Sequence, residues 1–158
     1  VYKRQEMGSP SKFITEYLKL GPVSYSISTA CSSGSRSFIE GKRLLEQGVC
    51  DVVLVGASDS LSELTLNGFH GLEAIDKSPS NPFSKNRSGI NIGEGAALFI
   101  LSRDKDLLSS QEVFELCGVG ESSDAYHIST PDPEGKGACS AIEKALDKAN
   151  MIAKDIDY

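Results

Sequence analysis

Ser28-Thr29-Ala30-Cys31-Ser32-Ser33-Gly34-Ser35 is the stretch whose reading decides the fold. Before it, Val23-Ser24-Tyr25-Ser26-Ile27 alternates apolar and polar residues, the pattern of a strand with one covered face. After it, Arg36 to Gln47 carries Phe38, Leu44 and Leu45 at helical spacing and ends at Gly48. Cys31 is therefore expected at a strand-to-helix turn, with small neighbours that let the backbone bend sharply and leave space for a substrate. A helix N-terminus presents N–H groups without intrahelical partners and a partial positive charge. Such a place favours a thiolate and can hold an oxyanion forming on an attached thioester. The arrangement follows the logic of a nucleophile elbow, with sulfur in the role of the serine hydroxyl. The other reading of the same residues is a buried, inert cysteine in a small-residue turn.

Outward from this turn, the C-terminal side continues with Asp51-Val52-Val53-Leu54-Val55-Gly56, a continuous apolar run that suits a strand buried on both faces. Strand, helix and strand in succession predict a βαβ unit with parallel strands and a right-handed crossover. Gly56-Ala57-Ser58-Asp59 closes the second strand in small residues. Ser62 to Leu66 reads as a short helix, and an irregular stretch runs from Asn67-Gly68-Phe69 through Pro79, Pro82 and Gly89. Gly95 to Leu101 is a further apolar strand, and Arg103 to Ser110 a polar connection. Glu112 to Leu116 reads as a strand, Ser122 to His127 and Pro131-Asp132-Pro133 as loop, and Gly137 to Met151 as an amphipathic helix. On the N-terminal side, Ser9 and Pro10 read as the N-cap and first residue of a helix that Gly21-Pro22 stops.

The 158 residues are enough for a domain with a core of its own. A net charge of −6 argues against non-specific nucleic-acid binding, so any acidic partner would need a local cluster of Lys and Arg. No apolar run reaches the length of a membrane span, and the first residues do not form a secretory signal. Cys31, Cys50, Cys117 and Cys139 make no C-x-x-C pair and have no histidine cluster beside them. That weakens a metal site and a disulfide framework alike and suits a cytoplasmic protein with reduced thiols. Gly93-Glu94-Gly95 precedes a strand rather than opening a helix, which rejects a phosphate loop. Glu94 is expected to make a structural hydrogen bond there.

Thr29-Ala30-Cys31-Ser32-Ser33-Gly34 resembles the active-site motif of the β-ketoacyl-[acyl carrier protein] synthases, the condensing enzymes of fatty-acid and polyketide synthesis. The resemblance runs from about residue 8 to Tyr158. Gly56-Ala57-Ser58-Asp59 is similar to the strand end that meets the active-site helix in that family. Arg87-Ser88-Gly89-Ile90-Asn91-Ile92-Gly93-Glu94-Gly95-Ala96 is similar to its Arg-x-Gly segment, with Ser88 where an aspartate is common. Asp124-Ala125-Tyr126-His127 is similar to a loop near its substrate channel.

The resemblance implies an α/β, thiolase-like fold, incomplete here: residues 1–103 as most of an N-terminal half and 104–158 as the start of a C-terminal half. It implies Cys31 as the acyl-accepting nucleophile, Phe69 beside the acyl pocket, and Ser129 and Thr130 along the pantetheine path. The residue-level alternatives are core packing for Phe69 and a solvated turn for Ser129 and Thr130. His70 and His127 are expected to be structural or loop histidines. The family's Ala-His-Gly-Thr motif, its lysine and its second histidine are not in this sequence, and they are expected beyond Tyr158. The implied partners are an acyl carrier protein and a second copy of the chain, paired through the strand before Cys31. The acyl group would arrive on a phosphopantetheine arm, and no metal or redox cofactor is implied. Cys31 argues against the chain-length-factor relatives, which lack the nucleophile. A thiolase or other thiolase-fold acyltransferase, and a non-catalytic scaffold domain, are the competing functions.

Overall fold

A computed structural model describes residues 6–107, 113–128 and 130–158. The chain divides into two compact units, Val1–Leu101 and Ser102–Tyr158.

The first unit is built around one helix on one pair of strands. Helix α1 (Ser9–Leu18) is followed by an extended segment and a 3₁₀ turn (Ala30–Ser32). Then come α2 (Ser33–Glu46), β1 (Val52–Asp59), α3 (Glu63–Gly71) and β2 (Gly95–Ser102). β1 and β2 are hydrogen-bonded neighbours. Ser58 and Asp59, at the end of β1, share a cleft with Gly95 and Ala96, at the start of β2. Gly56 lies against Ala97 and Leu98, so the two strands run in opposite directions.

Gly34, Phe38, Gly41 and Leu45 form a stripe along α2 at spacings of four, three and four residues, the period of one helix face. Gly34 lies against Ala57, Gly41 against Val53, Val55 and Leu101, and the Phe38 ring sits 5.2 Å from that of Phe99. The helix thus runs antiparallel to β1, with its N-terminal turn at the carboxyl end of the strand. Its exposed side is laced by Glu40 with Arg36 and Arg43, and by Lys42 with Glu46.

Several expectations are corrected here. Val23 to Ile27 joins no ladder among the described residues, so the predicted strand and the parallel βαβ unit built on it are absent. The alternation is nevertheless used. Thr15 Oγ1 donates to Ser24 Oγ (2.7 Å), and Ser26 Oγ donates to Ser11 Oγ (3.0 Å). Two residues of extended chain span about the same length as four residues of helix. The segment therefore runs extended and antiparallel beside α1, with its serine side on the helix.

The expected parallel-rich sheet is a two-stranded antiparallel pair among the described residues. Among the described residues, the expected core of a whole domain reduces to Ile39, Leu45 and Val55. Val52, Leu98 and Ile100, on the sheet face away from α2, remain about half exposed, because no described element covers that face. Helix α3 is longer than read and includes Asn67, Gly68 and Phe69. Helix α1 is capped by Gly8 rather than Ser9, and it ends at Lys19 in the left-handed conformation, before Gly21-Pro22.

The second unit pairs an extended segment with α4 (Lys136–Ala149). Gly118 packs on the helix backbone at Ala145 and Ala149, and Gly120 on Ala141 and Ala145. Further along, the Ser122 hydroxyl donates to the Gly137 carbonyl. Alternate residues thus face successive turns of an antiparallel helix, and a Cβ at position 118 or 120 would strike its backbone. Val113 to Leu116 joins no ladder, and Glu112 of that predicted strand lies outside the described residues.

Candidate active site

Cys31 is the middle residue of the 3₁₀ turn that leads into α2, and it is exposed. The turn is sharp because Ala30 adopts φ 51°, a left-handed conformation that costs a non-glycine residue about 1–2 kcal/mol. Alanine, with the smallest side chain after glycine, limits that cost.

Two serines close the turn. Ser33 Oγ accepts the Thr29 N–H at 2.9 Å and donates to the Ala30 carbonyl at 2.6 Å. Ser32 Oγ donates to the Thr29 carbonyl at 2.8 Å and lies 3.0 Å from Thr29 Oγ1. The backbone of Thr29 and Ala30, immediately before Cys31, is thereby tied to Ser32 and Ser33 at the head of the helix. Gly34, with only 3.4 Å between a Cβ at that position and Ala57, lets this end of α2 sit close on the end of β1. Open α/β sheets bind ligands at the carboxyl ends of their strands, and Cys31 is held at that end of β1. The elbow expected from sequence is present in its helical half. Its leading half is the extended segment beside α1 rather than a paired strand.

The Tyr25 hydroxyl is pushed above its ordinary pKa of 10.0 by partial burial, and further by the negative charge of Glu40 and by Cys50. Tyr25 alternates with Ser24 and Ser26 along the extended segment and so stands on the side away from α1.

Phe69 lies on α3 and is half-buried; its carbonyl accepts the Ala74 N–H at 3.1 Å. Cys31 and Phe69 belong to the first unit and Thr130 to the second. Thr130 is exposed, and Ser129 lies outside the described residues. The loop that carries Thr130 is braced by Asp124, whose carboxylate accepts the Tyr126 N–H (3.3 Å) and the Asp132 N–H (2.8 Å). These bonds, the Asp132 amide first, hold Asp124 below the usual carboxylate range. His70 is in the last turn of α3, and His127 is on the braced loop. Glu94 Oε2 accepts the Leu61 N–H at 3.3 Å, the structural role expected of it.

Sequence reasoning missed the brace of the 76–91 loop. Asp76 accepts the Ser88 hydroxyl and the Ser78 N–H, and the Asn91 amide donates to the carbonyls of Asp76 and Ser78. The Ser88 hydroxyl is the main reason the Asp76 carboxyl sits below its ordinary 3.8. Asp76 followed two residues later by Ser78 is a legible Asx turn, but its bond to Ser88 joins residues too far apart to be read from spacing. Among the described residues, no group of three or more His, Cys, Asp or Glu side chains is placed to hold a metal ion. No described helix is long and apolar enough to cross a membrane.

With its exposed cysteine in a stapled turn at the head of a sheet-packed helix, the chain matches solved ketosynthases of thiolase-like architecture over nearly its whole length, and that match gives its class as an α/β chain of this kind. Residues 8–107 match the family described as "Beta-ketoacyl synthase, N-terminal domain", and residues 113–158 match "Beta-ketoacyl synthase, C-terminal domain". The chain belongs to the β-ketoacyl synthase family.

It is 37% identical over 140 residues to a 3-oxoacyl-[acyl-carrier-protein] synthase homolog of Saccharomyces cerevisiae, a match that covers 86% of this chain and 32% of the relative. It is 32% identical over 150 residues to 3-oxoacyl-[acyl-carrier-protein] synthase 2 of Rhizobium meliloti, covering 89% and 36%. Among solved structures it resembles a ketosynthase in complex with its chain length factor from Xenorhabdus doucetiae. The TM-score is 0.90 at 44% identity, over 98% of this chain and 37% of that one. The chain thus spans about a third of the length of these relatives.

Proposed function

We propose that this chain carries the acyl-accepting part of a β-ketoacyl-[acyl carrier protein] synthase, with Cys31 as the nucleophile. The observation that carries the reading is the exposed Cys31 in a strained turn stapled by Ser32 and Ser33, within Thr29-Ala30-Cys31-Ser32-Ser33-Gly34. The Cys31 thiolate attacks the carbonyl carbon of an acyl thioester. A new S–C bond forms, the carrier's C–S bond breaks, and the carrier's thiolate leaves. The Cys31 N–H, in the first turn of the helical run, is a donor for the oxyanion that develops. In the second step a malonyl thioester loses carbon dioxide. The electron pair released forms the C–C bond to the acyl carbon, and the Cys31 thiolate departs. These steps need no metal and no redox cofactor.

Phe69 borders the acyl chain in this reading, and Ser129 and Thr130 line the path of the pantetheine arm. The carrier protein is the macromolecular partner. Exposed Lys77, Lys85 and Arg87 on the braced 76–91 loop are the local basic cluster that an acidic carrier would need. A cytoplasmic location with reduced thiols belongs to the same reading, as does a homodimer paired through residues 23–28. Similarity to a ketosynthase solved in complex with its chain length factor supports a chain length factor as a second kind of partner.

The test is mass spectrometry of the intact protein after incubation with an acyl-loaded carrier protein. The expected result is one acyl adduct on the peptide containing Cys31, lost in Cys31→Ala. An adduct on Cys50, Cys117 or Cys139 instead, or none at all, would overturn the reading.

A further inference from the structure

We propose that Ser33 is a positioning residue for the Cys31 nucleophile, acting through the backbone of the left-handed Ala30 turn. The inference rests on the function proposed above and adds a residue that the motif alone does not single out.

Ala30 sits at φ 51°, a conformation that a non-glycine residue leaves unless its surroundings hold it. Immediately C-terminal to it is Cys31, so a relaxed Ala30 would swing both the sulfur and the Cys31 N–H away from the carboxyl end of β1. The Ser33 side chain holds Ala30 in place. The Ser33 hydroxyl takes the Thr29 N–H on one side of Ala30 and gives its proton to the Ala30 carbonyl on the other, at 2.9 and 2.6 Å. One side chain thus bridges the Ser28–Thr29 and Ala30–Cys31 peptide groups across both dihedral angles of Ala30, and both of its bonds depend on that residue staying left-handed.

Ser32 contributes differently. Its hydroxyl reaches only Thr29, at the carbonyl and side-chain oxygens, so it shapes the start of the turn and leaves the Ala30 carbonyl alone. Ser37 is an internal comparison. Its hydroxyl donates to the Gly34 carbonyl at 2.6 Å, the same kind of bond one turn further along α2, with no strained residue between the partners.

Reaction with a small alkylating agent depends on the exposure and thiolate character of the sulfur, which Cys31 owes to its place at the head of α2. To accept an acyl group it must also share one geometry with the oxyanion donor. Loss of the Ser33 staple should therefore separate the two reactions. In the intact protein, Ser33→Ala is expected to slow acylation of Cys31 by an acyl thioester about tenfold, the worth of a hydrogen bond that holds a strained turn. Alkylation of Cys31 by iodoacetamide should stay within about twofold, since the sulfur keeps both its exposure and its place at the head of α2. Ser33→Thr keeps a hydroxyl at the same place and should restore acylation, and Ser37→Ala should leave both rates alone. As a readout independent of catalysis, the Thr29 amide should exchange with solvent about tenfold faster in Ser33→Ala than in the parent, because its acceptor is gone.

Parallel loss of acylation and alkylation in Ser33→Ala would overturn the proposal in favour of general destabilisation. So would unchanged acylation, failure of threonine to rescue, or a Thr29 amide that exchanges as before. Parent protein that no acyl thioester acylates would instead sink the proposed function, whatever the Thr29 amide does.

Discussion

Gly41→Ala is the substitution whose sign the structure decides against intuition. Replacing a glycine within a helix by alanine ordinarily stabilises it, by up to about 1 kcal/mol. Gly41, however, is buried where α2 crosses the sheet. A Cβ there would stand 2.6 Å from Val55 Cγ1 and 3.0 Å from Leu101 Cδ1, against a comfortable carbon–carbon separation of about 3.5–4.0 Å. Leu101 can turn its terminal methyl aside. Val55 cannot, because it is β-branched, buried and stiff at χ1. Room is made by lifting α2 by roughly 1 Å, and overpacking of this kind costs about 1–3 kcal/mol. The balance is a net loss of about 1 kcal/mol, or about 2–4 °C in Tm for a chain of this size.

The assay is thermal unfolding of the intact protein, with Gly34→Ala as the comparison on the same helix. A Cβ at Gly34 would meet only Ala57 at 3.4 Å, an ordinary contact, so that variant should be neutral or slightly stabilised. In a Val55→Ala background the offending methyl is gone, and the penalty of Gly41→Ala should shrink, a coupling above the roughly 0.3–0.5 kcal/mol expected of independent sites. Gly41→Ala as stable as Gly34→Ala, or strict additivity with Val55→Ala, would refute the packing argument.

Iodoacetamide should modify Cys31 faster than Cys117 and Cys139, which are also exposed; peptide mapping over time gives the order, and a slower Cys31 would count against the elbow. The Asp76 carboxyl is held below its ordinary 3.8 by the Ser88 hydroxyl first. The stability it contributes is therefore complete above that value and lost as the pH falls through the lower folded one, so amide exchange across residues 76–91 should rise in acid. Asp76→Asn should remove most of that acid sensitivity, and a loop equally acid-sensitive in both proteins would disprove the assignment. Tyr25→Lys should weaken self-association through the 23–28 edge, and an unchanged mass by light scattering, with activity intact, would remove that edge from the interface.

Much of this architecture could be read from local pattern. The stripe Gly34, Phe38, Gly41, Leu45 and the apolar run of β1 each announce their element, because a helix face and a buried strand impose periods that a short window reveals. The turn at Cys31 was legible for the same reason: strand-like alternation, then small residues, then a helical period. Its internal fastening was not. Which of Ser32 and Ser33 bonds to which peptide group depends on the left-handed Ala30, and an alanine gives no advance notice of that conformation. The Gly118/Gly120 alternation was visible as residues but was not read as a contact surface, because the helix backbone that requires it begins some sixteen residues later. The end of α1 was misjudged by two residues because Gly21-Pro22 looks like the stop signal, while the chain turns at Lys19.

Residues 23–28 show why pattern and pairing must be kept apart. The alternation Val23-Ser24-Tyr25-Ser26-Ile27 is a statement about two faces, and the structure uses both. Ser24 and Ser26 hold α1, and Tyr25, on the other face, is partly buried with its hydroxyl pKa raised by that burial and then by the charge of Glu40. A strand needs a third thing that no side-chain pattern specifies, a neighbour for its backbone. Among the described residues this segment has none, and Val23 and Tyr25 keep about half their surface exposed. Backbone N–H and C=O groups that meet no partner must face water or another strand. Water would leave the lead-in to Ala30 free to fluctuate, with only the Ser32 and Ser33 staples restraining the turn from the helix side. A paired strand would clamp the same turn from the other side. The edge and the staples therefore act on one object, the geometry of Cys31. If both fasten it, loosening the edge by Tyr25→Lys and removing the Ser33 hydroxyl should slow acylation by more than the product of their separate effects.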